Sequence, residues 1–375
     1  MSQLEGFVLT PQGFVRGCIE HEQGRIVGIR GDAVAESEVR HGAQDLPLLL
    51  PGFIDTHVHG GGGRDTMEGS DAIRAIARLH VRHGTTSLLA TTMTAPLDDI
   101  RQALSALAPV CRERESGAAR VLGVHLEGPY INPGKLGAQP DFARTASLAE
   151  IQALNALAPL LLITLAPELP GYLDLVTQLN AAGFKVQIGH SLGSYEDGVA
   201  ALAEGAGGFT HLFNAMTGLH HREPGLVGAA LAHAQYSEII PDLLHVHPGA
   251  IKVALRAIPC LFCVTDSTAA AGMPDGEYRL GRHQVTKCMG GVRLADGTLA
   301  GSTLTMDQAL RNLVGLGLEI EDASRRVSTH AADYLGLNDR GRLQAGAWAD
   351  VVVLDRKLEL QRVLVEGEEI DLANA

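Results

Sequence analysis

Lys185-Val186-Gln187-Ile188-Gly189-His190, then Ser194 to Glu204, then Gly208-Phe209-Thr210-His211, is the stretch on which the fold turns. It opens with a short apolar run of β character. Its middle carries apolar residues three and four apart behind a capping serine, the pattern of an amphipathic helix. It closes with a second β run, and strand, helix, strand at this spacing is a βαβ unit, which requires parallel strands.

The same alternation extends in both directions. Further strands are expected at Ser87-Leu88-Leu89-Ala90, Val121-Leu122-Gly123-Val124, Leu161-Leu162-Ile163-Thr164 and Leu261 to Thr265. Helices are expected at Ser70 to His83, Leu97 to Arg114, Ser147 to Ala158 and Gly171 to Ala182, with Ser70 and Ser147 as caps and Gly84 and Gly183 as stops. The length accommodates a (β/α)8 barrel of the TIM type. A doubly wound sheet is the structural alternative, but no Gly-rich dinucleotide loop or Walker sequence stands in the right place.

Outside the alternating region the character changes. Phe7-Val8-Leu9, Phe14-Val15 and Arg25 to Ile29 at one end, and Val351 to Leu354 and Arg362 to Val365 at the other, are short β runs broken by turn formers. A small β-domain built from both termini follows, with 1–50 and 338–375 as its two parts and 51–337 as the barrel.

With 375 residues, 46% hydrophobic and 19% charged, the chain has an ordinary globular composition and ample length for a core. The net charge of −13 disfavours a general nucleic-acid or anionic-membrane binder. The longest apolar run, Leu157 to Pro167, is interrupted by proline and falls short of the ~18 residues that span a bilayer. The first residues lack the basic start and apolar stretch of a signal peptide. Five cysteines without regular spacing read as reduced thiols, so a soluble, cytoplasmic protein is expected. Cys260 and Cys263 form a C-x-x-C, but with no second pair they read as part of a buried strand.

Chemistry enters at the strand ends. Phe53 to Thr56 runs into His57-Val58-His59, Val121 to Val124 into His125-Leu126-Glu127, and three other strands into His190, His211 and Asp266. In a parallel barrel every carboxyl end opens on one face, so these residues converge. His57 and His59 are two apart and share a side of their strand. Imidazole and carboxylate together favour a transition metal such as Zn2+ or Fe2+ over Mg2+.

Pro51-Gly52-Phe53-Ile54-Asp55-Thr56-His57-Val58-His59-Gly60 resembles the first-strand signature of the amidohydrolase superfamily. His125 to Tyr130, Gly189-His190-Ser191, Thr210 to Met216, His220 to Gly225, Val264-Thr265-Asp266 and Leu299 to Met306 are similar to segments of the N-acetylglucosamine-6-phosphate deacetylases. The resemblance implies a (β/α)8 barrel with a small β-sandwich made of both termini. It assigns Glu127, His190 and His211 as principal metal ligands and Asp266 as catalytic acid/base. Substrate contacts are implied at Ala138, Gln139, Asn214, Ala215 and Leu299, Ala300 and Gly301, with Arg222 and His245 on the sugar phosphate. Arg222 is contributed across a dimer interface in such relatives, so a homodimer is implied.

Physical chemistry agrees with that assignment. An amide is a poor electrophile, and a metal both acidifies a water and polarises the carbonyl. Asp266 is suited to carry a proton from that water to the departing amine, and Arg222 offers a planar donor fork to phosphate.

Three features differ from some members of that family. Both first-strand histidines are present, which admits one or two ions. Gln139 stands where some relatives have histidine, and Pro241-Asp242-Leu243-Leu244 replaces the usual Ala-Asp-Gly before His245. No strand-end lysine offers a carbamate bridge, which counts against dihydroorotase-like and urease-like branches. The expected activity is deacetylation of N-acetylglucosamine 6-phosphate. The alternatives are the galactosamine epimer, an N-acyl amino acid deacylase, and a metal-binding scaffold without catalysis.

Overall fold

The computed structural model describes residues 1–42 and 45–373, so positions 43–44 and 374–375 of the two terminal segments lie outside it. Six parallel strands form one curled sheet in strict sequence order: β1 (Phe53–Val58), β2 (Thr85–Thr92), β3 (Arg120–Glu127), β4 (Leu160–Leu165), β5 (Lys185–Ile188) and β6 (Gly208–Phe209). A parallel pair, β7 (Tyr236–Ile239) and β8 (Cys260–Cys263), continues the series. Hydrogen bonds span both seams. Leu212 N donates to Glu238 O at 2.9 Å between β6 and β7, and Asp266 N donates to His57 O at 2.9 Å beyond β8.

Asp55 reinforces the second seam from within. Its carboxylate accepts the Thr265 hydroxyl at 2.6 Å, the Thr265 amide at 3.2 Å and the His57 amide at 3.3 Å. These bonds hold the end of the first strand level with the end of the last. Burial pushes the Asp55 carboxyl up to about 7, against the pull of the Thr265 hydrogen bonds.

Helices follow the strands where the 3.6-residue pattern predicts them, at Ser70–Val81, Leu97–Arg112, Leu148–Asn155, Tyr172–Ala181 and Tyr195–Ala203. Ser147 caps its helix by accepting Glu150 N, and Ser194 forms a capping box with Asp197. Ser70 does not cap. It lies in the first turn, and Gly69 takes the N-cap with φ 101°, a conformation that glycine adopts without a Cβ penalty. Gly84 and Gly183 end their helices at φ 81° and 88°.

The termini meet in one seven-stranded sheet, ordered Glu368–Glu369, Leu360–Val365, Val351–Leu354, Leu48–Pro51, Ser2–Thr10, Gly13–Glu22, Arg25–Ala33. Its outer hairpin bends back, with Ile26 N donating to Ala347 O at 2.8 Å and the Arg25 guanidinium stacked 3.6 Å over Trp348. The curled face encloses a small core of its own that includes Leu4, Val8, Ile19, Ile26, Val351 and Leu364. Ion pairs tie this sheet to the barrel wall, Glu366 accepting from Arg120 and Arg114, while Arg340 of the C-terminal segment joins the same carboxylate.

A three-stranded antiparallel insertion, Gly276–Leu280, His283–Cys288 and Gly291–Arg293, follows β8 and lies beside the strand ends. All five cysteines are free, and Cys263 is buried in β8, where desolvation raises its thiol to about 12. Among the described residues no helix is long and apolar enough to cross a membrane.

Candidate metal and substrate site

Glu127, the last residue of β3, is the centre of the site. Its Oε1 lies 3.1 Å from His190 Nε2 and 3.1 Å from His211 Nε2, and those two nitrogens are 3.2 Å apart. Its Oε2 faces the other way, 3.0 Å from His59 Nε2. His57 Nε2 stands 3.2 Å from His59 Nε2 and 3.5 Å from Glu127 Oε1. Asp266 Oδ1 approaches both first-strand histidines, at 3.4 Å from His59 and 3.5 Å from His57. All six predicted strand-end residues are therefore brought together.

Local backbone explains how. His57 and His59 come from extended chain, where alternation sends both to one side. His190, His211 and Asp266 instead stand just past their strands at φ 49°, 30° and 50°, a left-handed conformation that non-glycine residues seldom adopt. That turn swings each side chain inward over the barrel mouth. Gly301 fits against one of these bends, because a Cβ there would meet Asp266 O at 2.8 Å.

The electrostatics favour a bound cation. Burial opposes charge on Glu127, yet the His57 charge and the hydrogen bonds of His190 and His211 hold its carboxyl well below the usual range. The same field acts in reverse on His57, where burial would lower the imidazole but Glu127 and Asp266 carry it well above its ordinary value. Two pairs of imidazole nitrogens face each other at 3.2 Å, and in each neutral pair one nitrogen must present a lone pair to the site. Buried imidazoles converging on a shared carboxylate are the donor set that borderline transition metals prefer. Glu127, His190 and His211 form one such group, and His57, His59 and Glu127 another.

A pocket of about 690 Å³, including its open mouth, rises over these groups. Ala138, Gln139, Asn214, Ala215, His245, Leu299 and Gly301 line it together with His59, Glu127, His190, His211 and Asp266. Gln139 is oriented by its neighbours. Thr94 N donates to its Oε1 at 2.7 Å, which turns its Nε2 toward Glu127 Oε2 at 2.5 Å. Ala300 is buried behind the lining rather than on it. His57 sits beneath the pocket floor with no exposed surface.

The end of the pocket around His245 is built differently. His245 Nδ1 is 2.7 Å from Asp242 Oδ2, and Asp242 Oδ1 accepts the amides of Leu244 and His245 at 2.9 and 2.8 Å. Leu243 makes this tight loop at φ 65°, so it follows the left-handed path that glycine adopts most readily. Arg222 lies elsewhere, exposed, against His221 Nε2 at 2.7 Å on the rim of a separate cavity beside Lys135 and Tyr195. The structure does not bring it to His245 within one chain.

One buried acid escaped the sequence reading. Glu238 in β7 has no exposed surface and bonds His57 Nδ1 at 3.1 Å through Oε2. The signal available was the β-type run Tyr236 to Ile240, which lies between the helices Gly225–His233 and Pro248–Ala257.

A parallel barrel-type sheet with imidazole and carboxylate groups gathered at its carboxyl ends defines a class of metal-dependent hydrolases. The model of the amidohydrolase family matches residues 48–370, and the chain belongs to that family. An N-acetylgalactosamine-6-phosphate deacetylase of Escherichia coli O157:H7 is 41% identical over 360 residues, covering 94% of this chain and 95% of that one. An N-acetylglucosamine-6-phosphate deacetylase of Vibrio furnissii is 40% identical, covering 88% and 85%. Among solved structures, a variant of the Mycobacterium smegmatis N-acetyl-D-glucosamine-6-phosphate deacetylase in complex with N-acetyl-D-glucosamine-6-phosphate superposes with a TM-score of 0.90 at 34% identity, over 99% of this chain and all of that one (100%).

Proposed function

We propose that this chain hydrolyses the acetamide of N-acetylglucosamine 6-phosphate to glucosamine 6-phosphate and acetate. The observation that carries the reading is Glu127, whose Oε1 faces His190 and His211 and whose Oε2 faces His59, with His57 and Asp266 alongside. Glu127, His190 and His211 would hold a divalent transition metal, Zn2+ or Fe2+, and His57 and His59 with Glu127 would hold a second. When bound, such an ion polarises the amide carbonyl and lowers the pKa of a water. Asp266 removes the proton from the attacking water and returns it to the departing nitrogen, so the amine leaves neutral. Gln139 Nε2 donates toward the acetyl oxygen. Asn214, Ala215 and the backbone around Ala138 and Leu299 to Gly301 confine the sugar.

The phosphate is held by His245 together with Arg222 from a second copy of the chain, which makes the working unit a homodimer in the cytoplasm. The barrel reading extends to all eight strands, with 51–337 as the (β/α)8 hydrolase domain and 1–50 with 338–375 as a β-sandwich. The two seam hydrogen bonds and the curled terminal sheet support it. The Escherichia coli relative favours a second reading, in which the substrate is the C4 epimer, N-acetylgalactosamine 6-phosphate. An acetate-release assay over both epimers, each with and without the 6-phosphate, on a sample of measured metal content tests the proposal. Release from neither phosphorylated sugar by metal-loaded protein would overturn it.

A further inference from the structure

The imidazoles around Glu127 differ in what holds the ring nitrogen that faces away from it. His190 Nδ1 is bonded to the backbone oxygen of Lys135 at 2.9 Å. The Nδ1 atoms of His59 and His211 are buried without a hydrogen-bond partner among the described residues. His57 alone has a carboxylate behind it, Glu238 Oε2 at 3.1 Å. Glu238 is itself fixed, because Thr56 Oγ1 donates to its Oε1 at 3.0 Å and His211 N lies 3.3 Å from its Oε2. Both His57 and Glu238 are completely buried, so water does not compete for this bond.

A neutral imidazole carries one proton, and where it sits determines which nitrogen has a lone pair to offer. A carboxylate at Nδ1 holds the proton there and leaves Nε2 free toward His59, Glu127 and Asp266. The rings of His59, His125 and His211 also pack around His57, while the group bonded to its Nδ1 is Glu238. His125 packs edge-on against the His57 ring with ring centroids 4.6 Å apart, and its own Nε2 is engaged with Thr164 Oγ1 at 2.8 Å.

We infer that Glu238 is a positioning residue for the second metal ion: it fixes the tautomer and ring plane of His57, and through His57 it sets the affinity of the His57/His59 half of the site, reaching the His190/His211 half only through its longer bond to the backbone of His211. The inference rests on the two-ion form of the proposed function. A carboxylate behind a ligating histidine also makes the ring more basic, and removing such a partner typically costs about 10-fold to 100-fold in metal affinity. Glutamine at 238 keeps the shape and one acceptor oxygen but removes the charge. The proton on His57 is then no longer held at Nδ1 by an anion.

The test compares wild type with Glu238→Gln by zinc titration and by elemental analysis after dialysis against a weak chelator. Wild type is expected to keep two ions per chain. Glu238→Gln is expected to keep the first ion with much the smaller change in affinity and to bind the second about 10-fold to 100-fold more weakly, with an unchanged melting temperature after both samples are stripped of metal. Two ions held as tightly in Glu238→Gln as in wild type would overturn the role of Glu238 and leave the two-ion reading standing. A single ion in metal-saturated wild type would defeat the two-ion reading itself, and the inference with it, and would be visible in the wild-type arm alone.

Should Glu238→Gln not fold, Thr56→Val removes one of the donors that hold Glu238, and a smaller loss confined to the second ion is expected. Nitrogen-15 spectra of the histidine rings in zinc-loaded wild type supply an independent reading. They should place the His57 proton on Nδ1, and an Nε2-protonated His57 would refute the inference.

Discussion

At one end of the pocket, Glu127, His190, His211, His57, His59 and Asp266 converge from five strand ends of a single chain. At the other, His245 is tied to Asp242 while the expected second cation, Arg222, stands exposed on a different cavity. The first end is complete in one chain and buried. The second offers one imidazole and an opening. Strand ends of a barrel are fixed relative to each other by the sheet, so a cluster built on them is preorganised. A loop such as His220 to Gly225 has no such frame, and its position can be completed only by what packs against it.

The sharpest way to break this contrast is to remove the residue on which the metal end is centred. Glu127→Ala takes an oxygen from both histidine groups at once. Loss of carbonyl polarisation and of the acidified water together should lower kcat by on the order of 10,000-fold or more. Metal analysis should show both ions depleted. Near wild-type metal content with near wild-type turnover would show that Glu127 is a buried structural acid.

Asp266→Asn probes the same end without emptying it. The amide keeps the shape but carries no proton between water and amine, so kcat should fall by about 100-fold to 10,000-fold. Because Asp266 stands at 3.4 to 3.5 Å from His59 and His57, beyond the distances that join Glu127 to His190 and His211, the ion at those two histidines should be retained. Turnover close to wild type would remove Asp266 from proton transfer.

The same contrast governs what can be read from sequence. His57 and His59 are legible because a strand alternates with period two, and Glu127, His190, His211 and Asp266 because each ends an apolar run. What the pattern does not reveal is the left-handed turn at His190, His211 and Asp266 that aims them inward. Glu238 was hidden for a different reason. A glutamate in the short run Tyr236-Ser237-Glu238-Ile239 reads like an exposed alternate position, and only the closure of β7 onto the mouth sets it behind His57. Ser70 illustrates competition between neighbours, since Gly69 reaches the cap conformation first. Arg222 was legible as a residue type, but its place on an exposed loop away from His245 was not.

The anion end is sharpened by Arg222→Ala. Truncating one member of a desolvated charged pair costs on the order of 2 to 5 kcal/mol, and the loss in kcat/KM should appear for the 6-phosphate and vanish for the unphosphorylated sugar. An equal loss for both would make Arg222 structural. Subunit mixing tests where Arg222 acts. A dimer of one Arg222→Ala chain and one Asp266→Asn chain regains one intact site if the arginine crosses the interface, so activity should rise on mixing two nearly inactive proteins. No recovery after demonstrated exchange would confine Arg222 to its own chain.

The smallest expected effect concerns His245. Burial alone would lower its pKa, but the hydrogen bond and charge of Asp242 outweigh this and raise it above the ordinary value, with Asp266 adding to the rise and Arg293 opposing it. A raised imidazole is cationic below its folded pKa and neutral above it. The preference for phosphorylated over unphosphorylated substrate should therefore be full at low pH and decline as pH passes upward through that value. Asp242→Asn removes the carboxylate that sustains the charge, so the decline should begin at lower pH, with a change of a few-fold in the kcat/KM ratio near neutrality, as expected for a partly screened ion pair of about 1 kcal/mol. The phosphate titrates near the same range, with its second pKa at about 6, but it does so identically for both proteins and cancels in their comparison. Superimposable pH profiles for wild type and Asp242→Asn would mean that the Asp242 pair shapes the loop at Leu243 without tuning the charge that meets the phosphate.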